Sequence, residues 1–107
     1  MSDVVKALDE TIAARRAEGD AASSYVASLL AKGPLKCAEK FGEEAVEALI
    51  AASAEDRDKL IAECADALFH MGVMLAARDA RLGDVLDELA RRSGKSGHEE
   101  KAERAER

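Results

Sequence analysis

The sequence predicts an all-α fold, a helical bundle of about four to five helices. Alanine, leucine, glutamate, lysine and arginine dominate the chain, and only one proline interrupts it. No stretch shows the alternation of β-branched and polar residues that is typical of strands. A chain of 107 residues fits one domain. Hydrophobic residues make up 48% of it, but many of them are alanine, so the core is thin. We therefore expect the bundle to pack as a homodimer.

The first two helices are bounded by recognisable start and stop signals. The first is predicted from Asp3 to Glu18, because Gly19 after it is a natural C-terminal stop. The second is predicted over 24–32, with a serine as its N-cap and Gly33 as its end. These two helices are expected to be joined by the polar segment EGDAASS.

The next two helices form the longest part of the chain. The third is predicted from Pro34, since proline is favoured in the first turn, to about Ala52. The short linker SAEDRD offers Ser53 and Asp56 as N-caps for a fourth helix that continues to about Arg78. Because the linker is short, the two helices are predicted to form an antiparallel αα-hairpin.

A short fifth helix, Val85 to Arg92, follows Gly83 and Asp84. We assign residues 1–92 to one helical domain. Residues 93–107, SGKSGHEEKAERAER, form a polar tail that is expected to be partly helical and can belong to the same domain.

Composition excludes several classes of function. A net charge of −6, a pI near 4.9 and 3% aromatic residues argue against nucleic-acid binding. No apolar run is long enough for a transmembrane helix, and the N-terminus lacks the apolar core of a secretory signal. Cys37 and Cys64 have no metal-ligand spacing and are expected to be reduced and buried. These features favour a cytoplasmic protein with no membrane partner.

The third helix carries a polar face that is rich in acids. At 100° per residue, five of its charged residues fall within about 100° of arc. They are Lys36, Lys40, Glu43, Glu44 and Glu47. A polar face is ordinary on a surface helix, although the like-charge pair at i, i+4 is mildly unfavourable without a cation nearby.

The fourth helix is harder to explain as a surface helix. Its segment LIAECADALFH is apolar on every side except at Glu63, Asp66 and His70. A helix that is apolar all round is expected to be buried on more than one side, so Glu63 and Asp66 should point into an interior cleft. In a hairpin, these carboxylates would face Glu44 and Glu47. Four converging carboxylates require protonation or a cation, and a hard divalent cation is the simpler solution.

The absence of certain ligands from the sequence narrows the choice of metal. No Cys/His cluster accompanies the acids, as zinc would favour, and no pair of Glu-x-x-His motifs indicates a di-iron site. Carboxylate oxygens suit Mg²⁺ or Mn²⁺, and Mg²⁺ commonly binds substrate phosphates as well. Lys40, and less strongly Lys36, could then contact a polyphosphate. The pattern therefore indicates phosphate chemistry.

The order of motifs resembles a known family. Glu-Glu-x-x-Glu at 43–47, then Glu-x-x-Asp at 63–66 after 15 intervening residues, is similar to the signature of the all-α nucleoside triphosphate pyrophosphohydrolases. Within that group the chain resembles the phosphoribosyl-ATP pyrophosphatases in the segments SSYVASLLAKG, KCAEKFGEEAVEALIAA, ECADALFHMGVML and GHEEKAERAER. Val26 stands where that pattern has a threonine-like residue.

This resemblance implies a specific reaction and a set of site residues. The reaction is Mg²⁺-dependent hydrolysis of phosphoribosyl-ATP to phosphoribosyl-AMP and pyrophosphate, in histidine biosynthesis, by a homodimer. The implied Mg²⁺ ligands, for which Mn²⁺ could substitute, are Glu44, Glu47, Glu63 and Asp66. Glu43 is the implied group that orients or deprotonates the attacking water.

Other interpretations stay open at this stage. His70 lies one turn after Asp66. It orients that carboxylate from outside the metal site, contacts the substrate, or is a core histidine bonded to the backbone. Tyr25 is either a site residue or a packing residue. For the whole chain, the alternatives are a house-cleaning pyrophosphohydrolase that acts on free nucleoside triphosphates, and a non-catalytic acidic interaction module.

Overall fold

The described part of the protein is a bundle of five α-helices. The computed structural model describes residues 3–93, and this part of the chain contains no strand. The helices are α1 (Asp3–Glu18), α2 (Tyr25–Ala31), α3 (Pro34–Ala54), α4 (Arg57–Ala76) and α5 (Leu82–Arg92). The predicted all-α class is confirmed. The predicted tail, 93–107, lies outside the described residues except for its first one.

Local signals in the sequence set most of the helix ends. Gly19 adopts a positive φ of 66° directly after α1, and its N–H donates to the Arg15 carbonyl at 3.1 Å. The Ser24 hydroxyl accepts from the backbone N–H of Ala27 at 3.1 Å and so caps α2. Gly33, with φ 94°, precedes Pro34 at the start of α3.

Helix α4 ends at Ala76, two residues before the predicted end. Asp79 takes the left-handed conformation, with φ 61°, and the backbone N–H of Ala80 donates to the Leu75 carbonyl at 2.9 Å. This bond closes the end of the helix as a C-terminal glycine would. The prediction extended too far because aspartate is a weaker stop signal than glycine.

Helices α3 and α4 form the predicted hairpin, with only Glu55 and Asp56 between them. The Asp56 carboxylate accepts from the backbone N–H of Lys59 at 2.9 Å, so Asp56 is the N-cap of α4. The other candidate, Ser53, lies inside α3 and donates its hydroxyl to carbonyls of the preceding turn. The contact between these two helices is the most extensive in the described structure.

The hydrophobic core lies around the C-terminal half of α4. Its buried members come from α1, α2, α3 and α4: Ile12, Val26, Leu29, Cys37, Val73 and Ala76. Gly72 allows α1 and α5 to approach α4 closely, because a Cβ there would lie 2.8 Å from Ile12 Cδ1 and 3.2 Å from Leu82 Cδ1. The core is small, as the composition predicts.

Helix α4 contacts all four of the other described helices, in line with the expected burial on more than one side, but its first three turns carry exposed apolar side chains. Ile61 and Leu68 are 49% and 42% exposed. Both cysteines are free as predicted, but only Cys37 is buried, while Cys64 is exposed. The reason is that the core members on α4 are Val73 and Ala76, near its C-terminus, which leaves the earlier turns outside the core.

A buried carboxylate connects the first and the last of the described helices. Asp9 on α1 is 8% exposed, and its two oxygens accept the backbone N–H groups of Leu82 and Gly83, each at 2.9 Å. These N–H groups have no partner within α5, because they belong to its first turn. Asp9 therefore caps α5 from another helix, and its negative charge is favourable at a helix N-terminus.

We expect Asp9→Ala to lower the free energy of unfolding by about 2 kcal/mol, the upper end for a lost N-cap, because one buried and one partly buried donor lose their acceptor. Asp9→Asn retains one acceptor oxygen and should lie between the wild type and the alanine variant. Urea unfolding followed by circular dichroism measures all three. An alanine variant as stable as the wild type would contradict this role.

Candidate metal centre

Three carboxylates converge where α3 and α4 face each other. Glu44, Glu63 and Asp66 each offer an oxygen atom, and these atoms all lie within 4.8 Å of one another. Glu63 and Asp66 are on the same side of α4 because they are three residues apart. The hairpin brings Glu44 of α3 opposite them. We call these three residues the acidic cluster.

The acidic cluster runs from the interior to the surface. Glu63 is 9% exposed, and the side chain of Glu44 is 17% exposed, whereas Asp66 is exposed. The expected interior position is therefore confirmed for Glu63 and wrong for Asp66 in the single chain. This gradient leaves the cluster open on one side, which a ligand from solution can reach.

Two lysines partly neutralise the acidic cluster. The Lys59 ammonium lies 2.8 Å from Glu63, and the Lys40 ammonium lies 3.4 Å from Glu44. The bond and the charge of Glu63 raise the pKa of Lys59 above its usual value. The Lys59 side chain is 53% exposed, so it can leave Glu63 when a metal cation takes its place. Lys59 was missed from the sequence, although its i, i+4 spacing to Glu63 is visible there.

The remaining predicted acids of α3 lie at the edge of the acidic cluster. Glu47 is exposed and, among the described residues, is not one of the acids that approach within 4.8 Å. Glu43 is also exposed, and its carboxylate lies 3.5 Å from the Lys40 ammonium. The role of Glu47 as a metal ligand and that of Glu43 as the group that activates water stay predictions.

The two predicted phosphate contacts differ in their surroundings. Lys40 lies between Glu43 and Glu44, and its pKa is raised chiefly by the Tyr25 hydroxyl nearby and then by the bond to Glu44. Lys36 lies one turn earlier and pairs with Glu39 at 3.2 Å. Lys40 is therefore the lysine of this pair that the structure places beside the acidic cluster.

His70 bridges the acidic cluster and α2. Its Nδ1 lies 2.7 Å from the backbone carbonyl of Asp66, and its Nε2 lies 2.8 Å from the Tyr25 hydroxyl. Because a carbonyl only accepts, Nδ1 carries the proton of the neutral ring. Nε2 then accepts, and the Tyr25 hydroxyl donates. The expectation of a core histidine with a backbone partner is confirmed, since His70 is 7% exposed and bonded to the Asp66 carbonyl. Its other expected roles, support of the Asp66 carboxylate and contact with the substrate, stay predictions.

One surface cavity of the bundle lies apart from the acidic cluster. A cavity of about 460 Å³ is lined by residues of α1 and α4 and by the segment before α5, among them Ile12, Arg16, Gly72 and Arg81. None of the three clustered acids lines it. The candidate centre is identified by its converging charged groups and not by a deep pocket.

The acidic cluster has the chemistry of a site for a hard cation. In the described part of the chain, all three grouped ligands are carboxylates, with no histidine or cysteine among them. Oxygen-only sites suit Mg²⁺ or Mn²⁺. Three carboxylates at this separation repel one another, and a divalent cation between them would remove that repulsion. The residues present therefore fit such a metal.

The described helices include none that is long and apolar enough to cross a membrane.

Comparison with known proteins gives the same family that the order of the motifs resembles. Residues 5–93 match the family model described as phosphoribosyl-ATP pyrophosphohydrolase. The chain is 65% identical to the phosphoribosyl-ATP pyrophosphatase of Paracoccus denitrificans (strain Pd 1222), over 91% of this chain and 89% of the relative. It is 61% identical to the protein of that name from Dinoroseobacter shibae, over 94% and 98%, and 62% identical to that of Ruegeria pomeroyi, over 91% of each.

Proposed function

The chain belongs to the phosphoribosyl-ATP pyrophosphohydrolase family, and on that premise we propose that it hydrolyses phosphoribosyl-ATP at the acidic cluster. The products are phosphoribosyl-AMP and pyrophosphate, and the reaction belongs to histidine biosynthesis in the cytoplasm. The observation that carries the assignment of the site is the convergence of three carboxylates within 4.8 Å, one of them almost buried.

Glu44, Glu63 and Asp66 are the residues that would hold Mg²⁺, with Glu47 as the further ligand predicted from the family resemblance. When bound there, Mg²⁺ would neutralise phosphate charge and help to activate a water molecule. Glu63 is the innermost of the three, so its carboxylate would fix the depth of the site. The exposed side at Asp66 leaves room for the phosphates of the substrate.

The side chains around the acidic cluster have separate roles in the hydrolysis. Water forms a bond to the α phosphorus while the bond from that phosphorus to the bridging oxygen breaks, and pyrophosphate leaves. Glu43 is our candidate for orienting the water and accepting its proton. Lys40, already beside the acids, supplies positive charge to the phosphates, and Lys36 is a weaker candidate for the same role.

We further propose that a second copy of the chain covers the hairpin. Large apolar side chains are exposed on both helices of the hairpin. On α3 they lie at i, i+3 and i+4, and on α4 they lie within the first three turns. They are Val46, Leu49, Ile50, Ile61 and Leu68. A chain with a small core that exposes this much apolar surface gains stability by burying it against a partner. A homodimer, expected from the thin core, accounts for this surface.

The reaction is tested by incubating the protein with Mg²⁺ and either phosphoribosyl-ATP or ordinary nucleoside triphosphates and detecting pyrophosphate. We expect faster release from phosphoribosyl-ATP. Glu63→Gln should lower kcat/KM by about a thousandfold, as the loss of a group that stabilises the transition-state charge does. Glu18→Gln, which removes an exposed ion pair of α1 with Arg15, is the matched control and should keep full activity.

The fold of Glu63→Gln should be as stable as the wild type or more so. The lost pair with half-exposed Lys59 contributes little because solvent screens it, and repulsion within the cluster falls. An unfolded variant would mean that Glu63 is structural. Faster turnover of a free nucleotide would favour the house-cleaning enzyme, and no release from any substrate would favour the non-catalytic module.

The dimer is tested by light scattering at micromolar concentration, where we expect twice the mass of the chain. Leu49→Lys, at a side chain 67% exposed in the single chain, should weaken association about a hundredfold or more. Two copies each lose a buried leucine worth roughly 1.5 kcal/mol. Leu89→Lys on α5, at a side chain 56% exposed, should leave the mass unchanged. A monomeric wild type would contradict the expected dimer.

A further inference from the structure

The Tyr25–His70 contact combines an exposed ring with a buried partner. Tyr25 is the first residue of α2 and is 52% exposed, yet its hydroxyl donates to the imidazole of His70, which is 7% exposed. A half-exposed tyrosine ordinarily directs its hydroxyl to water. Here the hydroxyl instead supplies the bond to His70 Nε2 from a different helix.

The surroundings of the two rings restrict their movement. Phe69 stacks on Tyr25 with the ring centroids 6.3 Å apart and meets His70 edge-on at 5.0 Å. Tyr25 also meets His70 edge-on at 5.8 Å. The imidazole is thus fixed by aromatic contacts and by a hydrogen bond at each nitrogen, one to α2 and one to the backbone of α4.

We propose that Tyr25 is a positioning residue: its hydroxyl holds the His70 imidazole on the backbone carbonyl of Asp66 and thereby fixes the turn of α4 that presents Asp66 to the metal. This inference rests on the metal site proposed above. Tyr25 itself contacts none of the reacting atoms in this role. It acts through His70, as groups around metal ligands commonly orient those ligands.

Two features make the Asp66 turn the place where such support matters. Asp66 is the exposed member of the acidic cluster, whereas Glu63 is enclosed by the hairpin. The hydrogen bond from His70 Nδ1 spans the turn from 66 to 70, so it holds the backbone next to the least enclosed ligand.

Tyr25→Phe tests the proposal because it removes the hydroxyl and keeps the ring. Calorimetric titration with Mn²⁺ alone should show a dissociation constant about tenfold larger than that of the wild type. Ser28→Ala is the matched control: the Ser28 hydroxyl donates to the Tyr25 carbonyl at 2.7 Å, so its loss perturbs α2 without touching the Tyr25 hydroxyl. It should bind Mn²⁺ as the wild type does.

A second measurement separates positioning from general destabilisation. The Nδ1 proton of His70 should be protected from solvent exchange and visible by NMR in the wild type and in Ser28→Ala, and lost in Tyr25→Phe. In a His70→Phe background, Tyr25→Phe should have no further effect on the Mn²⁺ dissociation constant, because the hydroxyl acts through the imidazole. An added loss in that background would refute the route through His70.

The results also distinguish this inference from the proposed function. A wild-type protein that binds no Mn²⁺ would refute the metal site and the positioning role with it. If the wild type binds Mn²⁺ and folded Tyr25→Phe binds it equally well, only the positioning role is refuted. Circular dichroism at the temperature of the titration establishes that each variant is folded.

Discussion

The repulsion among three carboxylates is the constraint around which the rest of the structure is arranged. Two unit charges about 4 Å apart interact by about 4 kcal/mol at the effective dielectric constant of a protein surface. The contact between α3 and α4 keeps the acidic cluster together against this repulsion, and Lys40 and Lys59 reduce it. In the proposed function, this repulsion is relieved when a cation binds the cluster together with the substrate phosphates.

In the single chain, only one end of the hairpin that holds the acids is packed against the other helices. The end of the hairpin that contains the C-terminus of α4 is packed against α1, α2 and α5 around Val73, where Gly72 allows close approach. Its other end exposes Leu49 and Ile61. The site therefore lies between a well-packed end and an apolar surface suited to a second copy. Asp9 supports the packed end by capping α5 from α1.

Much of this arrangement follows from local sequence. Gly19, Gly33 and Pro34 mark helix boundaries because glycine tolerates positive φ and proline suits a first turn. The convergence of Glu44 with Glu63 and Asp66 follows from helical spacing combined with a short linker. Local rules sufficed there because the helix ends depend on residues a few positions apart, and the two-residue linker makes α3 and α4 face each other.

Other features depend on contacts that no local pattern encodes. Asp9 bonds to N–H groups more than seventy positions away, so its role could not be read from the sequence around it. The hydrogen bond from Tyr25 to His70 likewise joins separate helices. The exposure of Asp66 was misjudged because an apolar helix can be left open for a second chain as well as buried in its own.

The central claim is that Glu44, Glu63 and Asp66 form a metal site, and anomalous diffraction from crystals soaked in Mn²⁺ with a non-hydrolysable substrate analogue tests it most directly. A peak should lie about 2.0–2.2 Å from oxygens of all three carboxylates, with the Lys59 ammonium displaced from Glu63. A peak elsewhere, or Lys59 still bonded to Glu63 with no metal at saturating Mn²⁺, would contradict the claim.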